Sequence, residues 1–142
     1  MGELQPQQIT PERIEGINGK ILVVDDDPVV LNMTATTFRR MGHVVETATN
    51  GEELLRMLNN SGPGEFGLLI SDNNMPEMDG IDAIKEIRKQ DRFKNLPIVI
   101  NSGLPISQDE ISGLKIVVLG KPFMRKELLT AIKQALNYQV GV

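Results

Sequence analysis

The strongest constraint on this chain is a regular alternation between two hydrophobic periods. Short apolar runs rich in β-branched residues recur as KILVV (20–24), HVVETA (43–48), FGLLI (66–70), PIVIN (97–101) and KIVVL (115–119). Each is strand-length and too short for a helix. Between them the apolar residues fall at helical spacing. From Asp27-Pro28 to Met41, the residues Val30, Met33, Phe38 and Met41 approximate a stripe, with Asp27 as cap and Pro28 in the first turn. NGEELLRMLNN (50–60) opens on Asn50 and Glu53 in the manner of a capping box and carries Leu54, Leu55 and Leu58. IDAIKEIRKQ (81–90) turns Ile84 and Ile87 inward, and KELLTAIKQAL (126–136) offers Leu128, Leu129, Ile132, Ala135 and Leu136. SQDEIS (107–112) leaves room for a short helix at most. Strands this apolar need cover on both faces, and right-handed crossovers supply it. The predicted fold is therefore α/β, a doubly wound five-stranded parallel sheet in a three-layer sandwich.

In such a sheet, ligands lie beyond the carboxyl ends of the strands. The first strand ends in Asp25-Asp26-Asp27, the third in Ser71-Asp72, the fourth in Asn101-Ser102-Gly103 and the fifth in Gly120-Lys121-Pro122. The second, Thr47-Ala48-Thr49, ends without charge. Carboxylates gathered at one sheet edge repel one another unless a proton or a cation joins them. Hard oxygen ligands suit Mg²⁺. A carboxylate beside a cation, an ammonium and a hydroxyl is equipped to take a phosphoryl group: the carboxylate attacks, and the positive charges neutralise the equatorial oxygens.

The motifs ILVVDDDP, LLISDNNMPEMDG, LPIVINSG and GKPF stand in this order. With them the chain resembles a receiver domain of the two-component response-regulator family, over about residues 19 to 138. The resemblance implies a flavodoxin-like receiver fold with Asp72 as phosphoacceptor. It implies Mg²⁺ as cofactor, held by Asp25, Asp26, Asp72 and the backbone carbonyl of Asn74. It makes Ser102 and Lys121 the residues that close on the phosphoryl group, and a cis bond is expected before Pro122. A histidine kinase or a His-phosphotransfer protein is the implied donor. The downstream effector is unknown, and a dimer stays open. Met75-Pro76 and Asp79-Gly80 are expected to shape the loop after Asp72, with Asp79 capping the next helix.

Two departures from the family pattern stand out. Val118 occupies a position, three before the lysine, where the family often has an aromatic residue. The segment from Ser102 to Lys121 is short by about a helical turn, which puts the usual dimer and output surface in doubt. A rival reading takes VVDDDPV as the opening motif of haloacid-dehalogenase-like phosphatases, with Asp25 as nucleophile and Asp27 as general acid. That reading leaves Asp72 unexplained, and after Lys121 it finds only Glu127 as an acid. A third reading is a degenerate receiver that serves only as a binding module.

Other features bound the function. The 142 residues suit one domain, with residues 1–18 as an arm or linker and 139–142 as a tail. Thr10-Pro11-Glu12 could begin a short helical turn. A net charge of −4 disfavours direct nucleic-acid binding. The absence of cysteine excludes disulfides and thiol chemistry. No run reaches the ~18 apolar residues of a membrane span, so a cytoplasmic protein is expected. His43, the single histidine, opens a strand and is a poor candidate phosphodonor. RKQDRFK (88–94) reads as a solvated helix end. The domain is expected to be a switch that catalyses only its own phosphorylation and dephosphorylation, not an enzyme with a turnover substrate.

Overall fold

A computed structural model describes residues 13–139, with the side chain of Gln139 excepted. The expected turn at Thr10-Pro11-Glu12 and the tail beyond Gln139 lie outside them. Five strands, β1 (Lys20–Val24), β2 (Val45–Ala48), β3 (Phe66–Asp72), β4 (Ile98–Ser102) and β5 (Val117–Gly120), alternate with five helices. The helices are α1 (Pro28–Arg40), α2 (Gly51–Asn59), α3 (Gly80–Arg88), α4 (Gln108–Ile111) and α5 (Arg125–Gln139), with a 3-10 turn at Asp91–Phe93. All the strand pairs are parallel and the order is β2-β1-β3-β4-β5. The chain leaves β1 toward one edge and returns past it to β3, so the order reverses between β1 and β3. That reversal is where a doubly wound sheet opens a crevice.

The strands are buried on both faces, as their composition requires. One face, with Leu22, Leu69, Ile98 and Ile100, packs against Leu54, Leu58, Ile84 and Ile87 of α2 and α3. The other, with Ile21, Val23, Ile70 and Val99, packs against Leu31, Ala35 and Phe38 of α1 and Leu128, Ile132 and Ala135 of α5. Residues 13–18 also lie on the domain. Ile17 is buried in the second cluster, and the Ile14 amide donates to His43 Nε2 at 3.1 Å. His43 is buried against Phe38, a position that withholds it from phosphotransfer.

Four local expectations need correction. In α1 the buried stripe is Leu31, Ala35 and Phe38, while Val30 and Met33 are exposed. Their spacing of four and three residues forms the narrow face on the sheet, and small Ala35 permits close approach. At α2, Asn50 Oδ1 accepts from the Glu53 amide as a capping box should, but Glu53 Oε1 reaches back to the Thr49 amide and hydroxyl instead of Asn50. Asp79 stands at the N-cap of α3 without a side-chain cap bond. Asn73 has taken that work: its backbone oxygen accepts from the Gly80 amide and its Oδ1 from the Ile81 amide. The run 88–94 is a solvated helix end only in part: Lys89, Asp91, Arg92 and Lys94 are exposed, but its arginines and Phe93 are engaged. Arg88 donates to the carbonyls of Phe93, Leu114 and Lys115, Arg92 to those of Leu58, Asn59 and Ser61, and Phe93 is buried.

α4 is as short as its sequence suggests and contributes no buried residue. Val118, where the family often has an aromatic ring, is 37% exposed on β5. Among the described residues no helix is long and apolar enough to cross a membrane.

Candidate functional site

The strand tips bring Asp25, Asp26 and Asp72 together. One carboxylate oxygen from each lies within 4.8 Å of the others. β1 and β3 are adjacent with Val24 beside Ser71, so the residues that follow each strand meet at one edge. Asp25 and Asp72 are each 4% exposed, whereas Asp26 is open to solvent. Asp25 Oδ1 accepts the Asp27 amide at 2.9 Å, which fixes the turn into α1. Burial pushes the Asp25 carboxyl above the usual range; the Asp27 amide opposes this, and the nearby Asp72 and Asp26 charges add to it. Asp27 itself caps α1, its Oδ1 accepting from Val29 at 2.9 Å and Val30 at 3.5 Å. A carboxylate so engaged is poorly placed to be a general acid.

Lys121 Nζ donates to Asp72 Oδ1 at 2.9 Å, which joins the chain after β5 to the acidic group. The Lys121 amide donates to the Ser102 carbonyl, so the root of the lysine is fastened to the tip of β4. The Lys121–Pro122 peptide bond is cis. Ser102 is buried, and its Oγ lies 3.0 Å from Asn74 Oδ1 and 2.8 Å from the Leu104 carbonyl while accepting from the Leu104 amide. The hydroxyl thus ties the loop after β4 to the loop after β3. Asn74 and Leu104, both exposed, flank the site. Gly80 allows α3 to start directly behind Asp72: a Cβ there would stand 2.6 Å from the Asp72 carbonyl oxygen.

Sequence reasoning placed Asp25, Asp26, Asp72, Ser102 and Lys121 at one sheet edge, and the structure brings them to it. It missed the capping role of Asn73 and the environment of Asn101. Asn101 is 6% exposed, and its Oδ1 has no hydrogen-bond partner among the described residues. An orphaned buried amide oxygen costs about 1–3 kcal/mol. It lines a cavity of about 480 Å³ between α1 and α5, together with Asp25, Thr34, Lys121 and Phe123. A single polar letter ending the apolar run PIVIN was the available signal.

The donor set fits Mg²⁺. Three carboxylates supply hard oxygens, and the charges that raise the Asp25 carboxyl are those that a divalent cation would relieve.

Fold and site together define a signalling receiver domain. The family model of the response regulator receiver domain matches residues 21–133, and the chain belongs to that family. Among curated relatives, it is 37% identical over 121 residues to a transcriptional regulatory protein, the CpxR homolog of Haemophilus influenzae, covering 83% of this chain and 50% of that protein. The chain thus spans about half the length of the curated relatives it matches. Among solved structures, chemotaxis response regulator CheY4 of Vibrio cholerae superposes with a TM-score of 0.72 at 31% identity, over 82% of this chain and 98% of that one. Response regulator TrrA of Thermotoga maritima, solved in complex with Mg²⁺-BeF, superposes with a TM-score of 0.71 at 28% identity, over 82% and 98% of the two chains. Membership in this family sets aside the phosphatase reading built on Asp25.

Proposed function

We propose that Asp72 accepts a phosphoryl group from a phosphohistidine on a histidine kinase or His-phosphotransfer protein, and that the resulting change of surface signals to a downstream partner. The observation that carries this reading is the Lys121–Asp72 ion pair at 2.9 Å, inside a cluster of three carboxylates at the strand tips. Asp25, Asp26, Asp72 and the Asn74 backbone carbonyl would hold Mg²⁺, which when bound supplies positive charge to the phosphoryl oxygens.

In the transfer, a carboxylate oxygen of Asp72 forms a bond to phosphorus as the phosphorus–nitrogen bond of a phosphohistidine protonated on its other ring nitrogen breaks, and the neutral imidazole leaves with that proton. Lys121, already on Asp72, follows the negative charge outward to a phosphoryl oxygen. Ser102 exchanges its bonds to Asn74 and Leu104 for another phosphoryl oxygen. Because that hydroxyl ties two loops together, its movement carries both with it, and a two-state surface shifts. Water later attacks phosphorus, releasing phosphate and restoring the carboxylate. Polar Asn74 and apolar Leu104 stand where that water must approach and set its rate. The domain acts only on its own phosphoryl group in a cytoplasmic setting, and it reads neither DNA nor RNA itself.

Acetyl phosphate with Mg²⁺, followed by intact mass, tests the proposal. One phosphoryl adduct is expected. It should vanish in Asp72→Ala and without the metal. An adduct that persists in Asp72→Ala and disappears in Asp25→Ala would overturn the assignment. No adduct in any sample would leave a receiver that only binds partners.

A further inference from the structure

Asn101 breaks the apolar run of β4, following Ile98, Val99 and Ile100. Val99, two residues earlier, faces α1 and α5, and Ile98 and Ile100 face the other side. Strand alternation therefore turns Asn101 toward α1 and α5, where it helps wall the cavity. Asn101 is the register partner of Asp72 across the β3–β4 pair. Neighbouring parallel strands lie about 4.8 Å apart, so the amide stands beside the carboxylate. A valine such as Val99 would fill that place and leave no acceptor unpaired.

The side chains lining this cavity include three that can donate a hydrogen bond: Asn101 itself, Thr34 and Lys121. Thr34 lies inside α1, where a threonine hydroxyl can bond back to the preceding turn. Lys121 has three N–H groups, and among the described residues its ammonium makes one hydrogen bond, to Asp72 Oδ1. We propose that Asn101 is a positioning residue for Lys121, its Oδ1 accepting from the lysine ammonium as that ammonium moves off the Asp72 carboxylate toward the arriving phosphoryl group. This rests on the reading of Asp72 as phosphoacceptor. The orphaned oxygen is then a partner held ready for the displaced lysine. It keeps the charge at the strand tips when Asp72 no longer offers a full carboxylate to pair with.

The test is a double-mutant cycle on the full chain, with acetyl phosphate as the phosphodonor and Mg²⁺ present. The rate of adduct formation is measured by intact mass for the unsubstituted protein, Asn101→Val, Lys121→Ala and the double variant. Asn101→Val is expected to slow phosphorylation roughly tenfold where Lys121 is present, and by less than about twofold where it is absent. Its Mg²⁺ affinity, read by titration without phosphodonor, should not change. Its Tm without metal should rise by roughly 3 °C, because the unpaired acceptor is gone. A part in packing alone would lower the Tm and leave the two substitutions independent. Asn101→Leu, closer in shape to asparagine, repeats the comparison should the valine disturb the strand.

An unchanged rate in both Asn101 variants, or effects that multiply with that of Lys121→Ala, overturns the inference. If the unsubstituted protein takes no phosphoryl group, the phosphoacceptor reading falls and this inference with it. If it does and Asn101 is without effect, only this inference falls.

Discussion

Asp25 shows how a site of this kind is held under electrostatic tension. Burial and two neighbouring carboxylates make its charged form unfavourable in the folded chain. Without metal, Asp25→Asn should therefore melt higher than the unsubstituted protein, while losing most of the stabilisation that Mg²⁺ confers. Thermal melts across a Mg²⁺ series test both halves: for the unsubstituted protein, each tenfold rise above the Kd adds about 1.4 kcal/mol. His43 poses the opposite problem. Burial, and then the charge of Arg13, hold its pKa below the ordinary value of 6.5. Above about pH 6.5 the imidazole is neutral in both states and its contribution is complete. As the pH falls below that, the unfolded chain binds a proton that the folded chain resists, so stability declines until the folded pKa has been passed. Protonation also removes the acceptor for the Ile14 amide. Urea titrations from pH 7 to pH 5 should show a steeper loss for the unsubstituted protein than for His43→Gln. At this scale the sequence disclosed the acids, the lysine and the serine, because strand ends converge in any doubly wound sheet. It did not disclose Asn73 as the cap of α3 or Asn101 as an unpaired acceptor, since both depend on which neighbour claims which hydrogen bond.

Elements were legible where burial on two faces forces a composition, as in all five strands, and less so where one face is free. In α1 the misleading residues Val30 and Met33 lie in its first two turns and are exposed, so hydrophobicity there did not mark the face on the sheet. The run 88–94 was read only in part, for a different reason. Arginine in a charged stretch looks solvated, yet its guanidinium can satisfy carbonyls that no strand or helix uses. Burial lowers the Arg88 pKa to about 10, and the same group joins the end of α3 to the chain entering β5 through the Leu114 and Lys115 carbonyls. Arg88→Met, which retains much of the apolar stem, should cost about 2 kcal/mol in denaturant midpoint experiments. Hydrogen exchange should quicken near residues 114–117 more than in α3 itself. Uniform quickening throughout the chain would show that Arg88 is not a local fastening.

Across the whole molecule, two hydrophobic clusters lie on opposite faces of one sheet and share its strands. Damage to either is transmitted to the strand tips. Phe38, 1% exposed beneath α1, is the largest side chain among those fully buried, and Phe38→Ala should cost about 3–5 kcal/mol by urea unfolding. The overall architecture was the most legible level, because the alternation of periods leaves few topologies and handedness removes most of those. The short α4 has a consequence of another kind. It buries none of its residues, and at Gly113 just beyond it, where φ is +80°, an added side chain would meet nothing within 4 Å. Arg88 secures the chain again immediately afterwards, at Leu114 and Lys115. Ile111 packs against the core, but Ser112 and Gly113 beyond it are exposed and should serve as a splice point, where a fluorescent reporter or a docking peptide could be inserted with its strain absorbed before β5, and where a reader of the switch could be grafted onto the domain without rebuilding its core.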